Sequence, residues 1–130
     1  MEGGYRTPLG RARGLGAAGH GVGHWISERI SSLALVPLVL WVVLAGLQLA
    51  GAGYDGAVAW VQHPLNAVLL VLLLAISFQH MHAGMRVIVE DYIHKTTTKA
   101  ALLVLNLFVC VLFGALAVFS VLKVALSGAL

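Results

Sequence analysis

The sequence predicts an all-α integral membrane protein with three transmembrane helices, and two observations carry that prediction. Of the 130 residues, 60% are hydrophobic and 10% are charged, with a mean hydropathy of +0.95. An ordinary globular domain carries roughly 25% charged residues, so this chain lacks the polar surface that a soluble domain needs. The placement of the charges says more. Ile30 to Tyr54, Gly56 to Met85 and Ala100 to Leu122 contain no Asp, Glu, Lys or Arg. Each stretch exceeds the ~20 apolar residues that cross a bilayer core as a helix.

The formal charge of +3 does not point to nucleic acid once its distribution is considered. Arg6, Arg11 and Arg13 precede the first span, and Lys95 and Lys99 lie between the second and third. The loop between the first two spans has Asp55 but no Lys or Arg, and the C-terminal tail has only Lys123. Basic residues accumulate on the cytoplasmic side of membrane proteins. The N-terminus is therefore expected in the cytoplasm or mitochondrial matrix, with the C-terminus opposite. Cys110, the single cysteine, cannot form an intrachain disulfide and reads as a small packing residue.

Residues 1–29 are read as a cytoplasmic arm leading into an interfacial helix start. Eight of the fifteen glycines fall in the first 23 residues, and glycine loses much backbone freedom on ordering. A regular helix is not expected there. A cleavable signal peptide is not expected either, because the first apolar run begins some thirty residues in and exceeds an h-region of roughly 7–15 residues. His20 and His24 read as solvated or interfacial. Trp25 suits a membrane-interface anchor. Arg29 stands where hydrocarbon begins, to snorkel toward headgroups or to bind an anionic group within a bundle.

The first span is placed at 30–50. Pro37 inside it leaves the carbonyl of Leu33 without its helical partner, a loss that a neighbouring helix, an ordered water or a nearby hydroxyl such as Ser32 can offset. Residues 51–63 read as an outer loop, with Tyr54 and Trp60 at headgroup level. Pro64 suits the first turn of the next helix. The second span, 64–89, continues to about Tyr92 and is roughly 43 Å long, more than the ~30 Å hydrocarbon core. Its last turns must emerge, carrying Glu90, Asp91 and Tyr92 to the boundary. His94 to Lys99 reads as a short polar connection, and the third span as 100–122.

The second helix holds most of the unusual residues: Gln79, His80, His82, Arg86, Glu90, Asp91 and Tyr92. Ionisable groups within a span are costly and are functional candidates by default. His80 and Asp91 lie within ~20° of one helix face, about 16 Å apart along the axis. Ala83, Gly84 and Val87 are expected to fill that face, where small residues leave room for a flat, bulky group. His82 is turned away by about 200°, so the two histidines do not form a joint metal site. Two readings of His80 stand: a structural hydrogen bond to another helix, or axial ligation of haem iron. Tyr92 is an aromatic-belt residue or a phenol donor to a carbonyl ligand, with Asp91 orienting it. A single helix cannot enclose haem, so ligation by His80 requires a second ligand from another subunit and a heteromeric helix bundle.

Two motifs resemble a known family. One is Arg6-Thr7-Pro8-Leu9-Gly10, then His24-Trp25, then Arg29-Ile30-Ser31-Ser32-Leu33-Ala34-Leu35-Val36-Pro37-Leu38. The other is His80-x3-Gly84-Met85-x5-Asp91-Tyr92. Over nearly its whole length the chain resembles the small hydrophobic membrane-anchor subunit of succinate dehydrogenase, respiratory complex II, in its alphaproteobacterial form. The resemblance implies an anchor that helps bind haem b and ubiquinone while succinate is oxidised elsewhere, and that has no activity alone. It makes His80 one axial ligand of haem b, shared with a histidine of the cytochrome b subunit. It assigns Tyr92 and Asp91 to the ubiquinone site, and Arg29 to the haem propionates or quinone pocket. His82 departs from the family pattern. The implied partners are the flavoprotein, iron–sulfur and cytochrome b subunits, with FAD and the iron–sulfur clusters held by those partners only. The implied location is the bacterial inner membrane, or the mitochondrial inner membrane in a eukaryote. A haem-free anchor of a related fumarate reductase or succinate dehydrogenase is the first alternative. The second is a small transporter or channel subunit conducting along Arg86, Glu90 and Asp91.

Overall fold

The computed structural model describes residues 7–12, 14 and 21–127. These form five helices: α1 (Pro8–Ala12), α2 (Gly21–Leu49), α3 (Gly53–Gln62), α4 (Pro64–Tyr92) and α5 (Thr96–Leu126). No strand occurs among the described residues. Three helices are long and apolar enough to cross a membrane, over Trp25–Leu49, Pro64–Tyr92 and Thr96–Leu126.

The glycine-rich arm is more helical than expected. Pro8 opens the short α1, and the hydroxyl of Thr7 accepts a hydrogen bond from the Gly10 backbone N–H at 3.0 Å. That contact satisfies one of the donors a helix start leaves orphaned. Helix α2 begins at Gly21, about one turn before the interfacial helix start expected around His24. His20 and the side chain of His24, read as solvated or interfacial, lie outside the described residues. Pro37 sits inside α2 without ending it. Ser32 does not serve the carbonyl of Leu33, because its hydroxyl donates to the carbonyl of Glu28 at 2.7 Å.

The expected outer loop contains α3. Gly53, with φ +68°, supplies the left-handed residue that lets the chain turn out of α2. Trp60 then stacks on Trp41 of α2, with ring centroids 5.4 Å apart and planes inclined by 25°. That contact gives the short helix a packed face, which its sequence does not advertise. Pro64 occupies the first turn of α4, preceded by His63 in extended conformation. The polar connection shrinks to residues 93–95. The three threonines enter α5 because Lys95 ends the extended segment and its carbonyl accepts from the Lys99 N–H at 2.9 Å. The same Lys99 donates from Nζ to the carbonyl of Glu90 at 2.9 Å, a cation placed at the negative end of α4. At its far end α5 runs to Leu126, past the expected stop at 122.

Helix α4 is the middle of the bundle. It packs against α2 on one side and α5 on the other, while α2 and α5 do not pack on each other among the described residues; α3 touches all three. Close approach depends on small residues. Ala45 and Ala67 are buried, and a Cβ added at Gly114 of α5 would lie 3.2 Å from Cγ of Phe78 on α4. Few other apolar groups are covered. Val89 and Cys110 are the remaining buried hydrophobic residues among those described, whereas Leu33, Phe108 and Phe119 are 75%, 67% and 64% exposed. Apolar area left in water costs roughly 25 cal/mol per Å², so these faces require hydrocarbon or neighbouring helices.

The α4–α5 contact is tested by Gly114→Val. Overpacking against Phe78 is expected to cost about 1–3 kcal/mol, read as a lower melting temperature in detergent. Gly46→Ala, where an added Cβ meets nothing within 4 Å, should melt like the parent.

Candidate functional site

His80 faces α2. Its Nδ1 lies 3.0 Å from Oγ of Ser31, and the Ser31 hydroxyl also lies 3.0 Å from the carbonyl oxygen of Glu28, one helical turn earlier. Ser31 is the buried polar residue among those described, 9% exposed. The contact joins α2 to α4 in the half of the bundle where α2 begins and α4 ends. The imidazole's Nδ1 is thus occupied within the chain, and Nε2 is the ring nitrogen left for a further partner.

Beside His80 runs an open groove of about 310 Å³ lined by Glu28, Arg29, Ser32, His80, Gly84 and Val87. An added Cβ at Gly84 would meet nothing within 4 Å, so the helix face one turn beyond the imidazole is open to a neighbour. Gly84 and Val87, expected on the His80 face, both line this groove. Ala83, expected on the same face, instead lines a smaller groove of about 160 Å³ with Ser27, Gln79, His82 and Arg86. Helical rotation accounts for this, since Ala83 stands about 60° round from His80. Arg29, whose guanidinium carbon lies 5.3 Å from the Trp25 ring centroid, brings a cation to the rim of the His80 groove. A cation near an aromatic face is favourable at a membrane boundary.

His82 points away from His80, as helix rotation requires. It contributes to the small polar groove and to a larger apolar groove of about 430 Å³ between α4 and α5. Its backbone carbonyl accepts a hydrogen bond from Asn106 Nδ2 at 3.0 Å, and Asn106 Oδ1 accepts from Cys110 Sγ at 3.3 Å. Cys110 and Asn106 therefore act as packing groups that tie α5 to the His82 turn. Neither the partner of Asn106 nor the role of Ser31 is among the sequence expectations, where Ser31 is only one letter of a motif. The available signal for Ser31 was its position on the first span, one helical turn after Glu28.

Asp91 and Tyr92 close α4. Both are exposed, Tyr92 by 76%, and neither lines the His80 groove. Among the described residues neither side chain makes a hydrogen bond or ion pair. Arg86 Nε donates to Glu90 Oε1 at 2.7 Å, an i,i+4 pair on the helix surface. Asp91 is turned about 140° from Arg86, so the three charges named for a conduction path do not share one face. No group of three His, Cys, Asp or Glu side chains converges among the described residues. A metal held through His80 must therefore take another ligand from outside these residues.

The described residues define a multi-pass α-helical membrane protein whose central helix presents an imidazole to an open groove between α2 and α4. The chain belongs to the succinate dehydrogenase/fumarate reductase transmembrane subunit family, whose sequence profile matches residues 4–116. Among its curated relatives is the succinate dehydrogenase hydrophobic membrane anchor subunit of Rickettsia conorii (strain ATCC VR-613 / Malish 7). It is 26% identical over 108 residues, covering 82% of this chain and 86% of the relative. The protein of the same name from Paracoccus denitrificans is 28% identical over 99 residues, 76% of this chain and 77% of the relative. The succinate dehydrogenase membrane anchor subunit of Reclinomonas americana is 27% identical over 79 residues, 58% and 66% respectively. No solved structure matches the chain significantly.

Proposed function

We propose that this chain anchors a succinate dehydrogenase in the bacterial inner membrane, supplies His80 as one axial ligand of haem b, and helps form the ubiquinone site with Tyr92 and Asp91. The observation that carries the haem assignment is the His80 groove. Its imidazole is held at Nδ1 by Ser31 with Nε2 left over, Gly84 leaves the adjacent helix face open, and Arg29 sits at the rim. An imidazole, an open backbone face and a cation are the groups that suit a flat macrocycle with anionic propionates.

Haem b, when bound, supplies a one-electron redox centre inside the membrane. The chain's own contributions are binding and orientation. His80 would hold the haem through its Nε2, with a further ligand from the cytochrome b subunit. Arg29 would offer its cation to the haem propionates or the quinone pocket. Tyr92, at the end of α4, donates its phenolic proton in a hydrogen bond to a ubiquinone carbonyl, and Asp91 orients the site. The flavoprotein and iron–sulfur subunits hold FAD and the clusters and deliver the electrons from succinate oxidation. The exposure of Asp91 and Tyr92 supports this reading, because a site shared with other subunits leaves this chain's share uncovered.

Orientation follows the same end of the bundle. Arg29, Arg86, Lys95 and Lys99 belong to the end where α2 starts, α4 finishes and α5 begins, and Lys123 belongs to the other. The positive-inside rule supports a cytoplasmic first end, and Tyr92 belongs to that end.

Gly84→Leu fills the open face, and in the assembled complex it is expected to lower bound haem about tenfold, in line with the cost of overpacking; unchanged haem content would remove the groove from the haem site. Tyr92→Phe should slow ubiquinone reduction by roughly two- to tenfold, the worth of one hydrogen bond, while electron transfer from succinate to a soluble acceptor stays at the parent rate. Unaltered ubiquinone reduction in an intact complex would exclude Tyr92 from the site.

A further inference from the structure

We infer that Ser31 is a positioning residue for His80: its hydroxyl accepts a hydrogen bond from the imidazole Nδ1–H and donates one to the Glu28 carbonyl, which leaves the Nε2 lone pair exposed for ligation. The inference rests on the reading of His80 as a haem ligand, and it adds a residue of a different helix to that function.

The count of hydrogens decides which group donates. A serine hydroxyl has one hydrogen to donate and two lone pairs with which to accept. Ser31 Oγ is 3.0 Å from the Glu28 carbonyl oxygen and 3.0 Å from His80 Nδ1. A carbonyl oxygen only accepts, and that of Glu28 also takes the Ser32 hydroxyl at 2.7 Å. Both Ser31 contacts are hydrogen bonds together only when the Ser31 hydrogen goes to Glu28 and Nδ1 donates in the second contact. A neutral imidazole carries one N–H, and Nε2 is left with its lone pair. The opposite arrangement, with Ser31 donating to Nδ1, would place the imidazole proton on Nε2 and block it as a ligand.

The surroundings make this arrangement effective. Ser31 is 9% exposed and lies within a candidate membrane-spanning segment, a setting that limits competition from water. An isolated hydrogen bond in a low-dielectric setting is strengthened relative to one in water. Ser31 is also fixed along its helix by the i−3 contact to Glu28, which restricts the hydroxyl rotamer. The outcome is the arrangement that metal-bound histidines use, with the non-ligating N–H given to an acceptor that orients the ring and raises its basicity. A more basic imidazole favours ferric over ferrous iron. Ser31 therefore tunes the reduction potential of the haem as well as the orientation of its ligand.

The test is made in the purified four-subunit complex with Ser31→Thr, Ser31→Val and Ser31→Ala. Threonine and valine match in shape and differ by the hydroxyl, and alanine covers the case in which valine is too bulky to assemble. The readouts are haem per complex, the low-spin ferric resonance spectrum and an optical redox titration, none of which depends on turnover. Ser31→Thr is expected to keep the parent's potential and spectrum. Ser31→Val and Ser31→Ala are expected to raise the midpoint potential, by about 59 mV if the hydrogen bond is worth tenfold in ferric over ferrous affinity. Unshifted potentials and spectra in Ser31→Val and Ser31→Ala overturn the inference while leaving His80 as a ligand. Equal shifts in all three variants also overturn it, since packing rather than the hydroxyl would then be responsible. A parent complex without haem, or a His80→Ala complex with an unaltered haem spectrum, overturns the ligation reading and this inference with it.

Discussion

Lipid tails are as apolar as leucine, so no hydrophobic force holds these three long helices to one another. Small residues that permit close approach, and polar groups that find partners across helices, must do so instead. The middle helix is fastened in this way on both sides. Ser31 of α2 meets His80, Asn106 of α5 donates to the carbonyl of His82, and Lys99 of α5 donates to the carbonyl of Glu90. All three contacts fall on the later part of α4, between His80 and Glu90. The half of the helix that carries the candidate ligand is thus fastened to both neighbouring helices by its own chain.

That fastening leaves much of the surface uncovered. Large side chains such as Leu33, Phe108 and Phe119 point outward, and the His80 groove is open on the side facing away from the chain. Both features have one cause. A chain with three transmembrane helices arranged around a central one has faces that only lipid or another subunit can cover, and a macrocycle held between subunits needs one of those faces left open at a small residue. In the proposed haem site Gly84 would supply the opening, His80 the donor atom and Arg29 the charge. The family to which the chain belongs is one of transmembrane subunits of a larger enzyme, in agreement with a site that is incomplete within one chain.

The spans were legible because charge is excluded from hydrocarbon, and the helical period alone separated His80 from His82. Helix α3 was not legible. Gly51, Gly53 and Gly56 make its sequence resemble a loop, and its order comes from Trp60 stacking on Trp41 across the bundle, a contact no local pattern encodes. The early start of α5 was hidden by three threonines, which are weak helix formers held here by the Lys95 cap and the Lys99 contacts. Ser31 was hidden for a different reason. Its partner is 49 residues away, and the register of α2 against α4 is a property of the packed pair. Asp91 and Tyr92 were recognised by a motif and by their place at the boundary, and within this chain they stand exposed.

Ligation by His80 of a haem shared with another subunit is tested most directly by purifying the complex in mild detergent and recording the reduced-minus-oxidised absorbance spectrum for the parent and for His80→Ala. A b-type haem band is predicted in the parent, co-purifying with a flavoprotein partner, with its loss or displacement in His80→Ala. An identical band in both complexes would contradict that ligation.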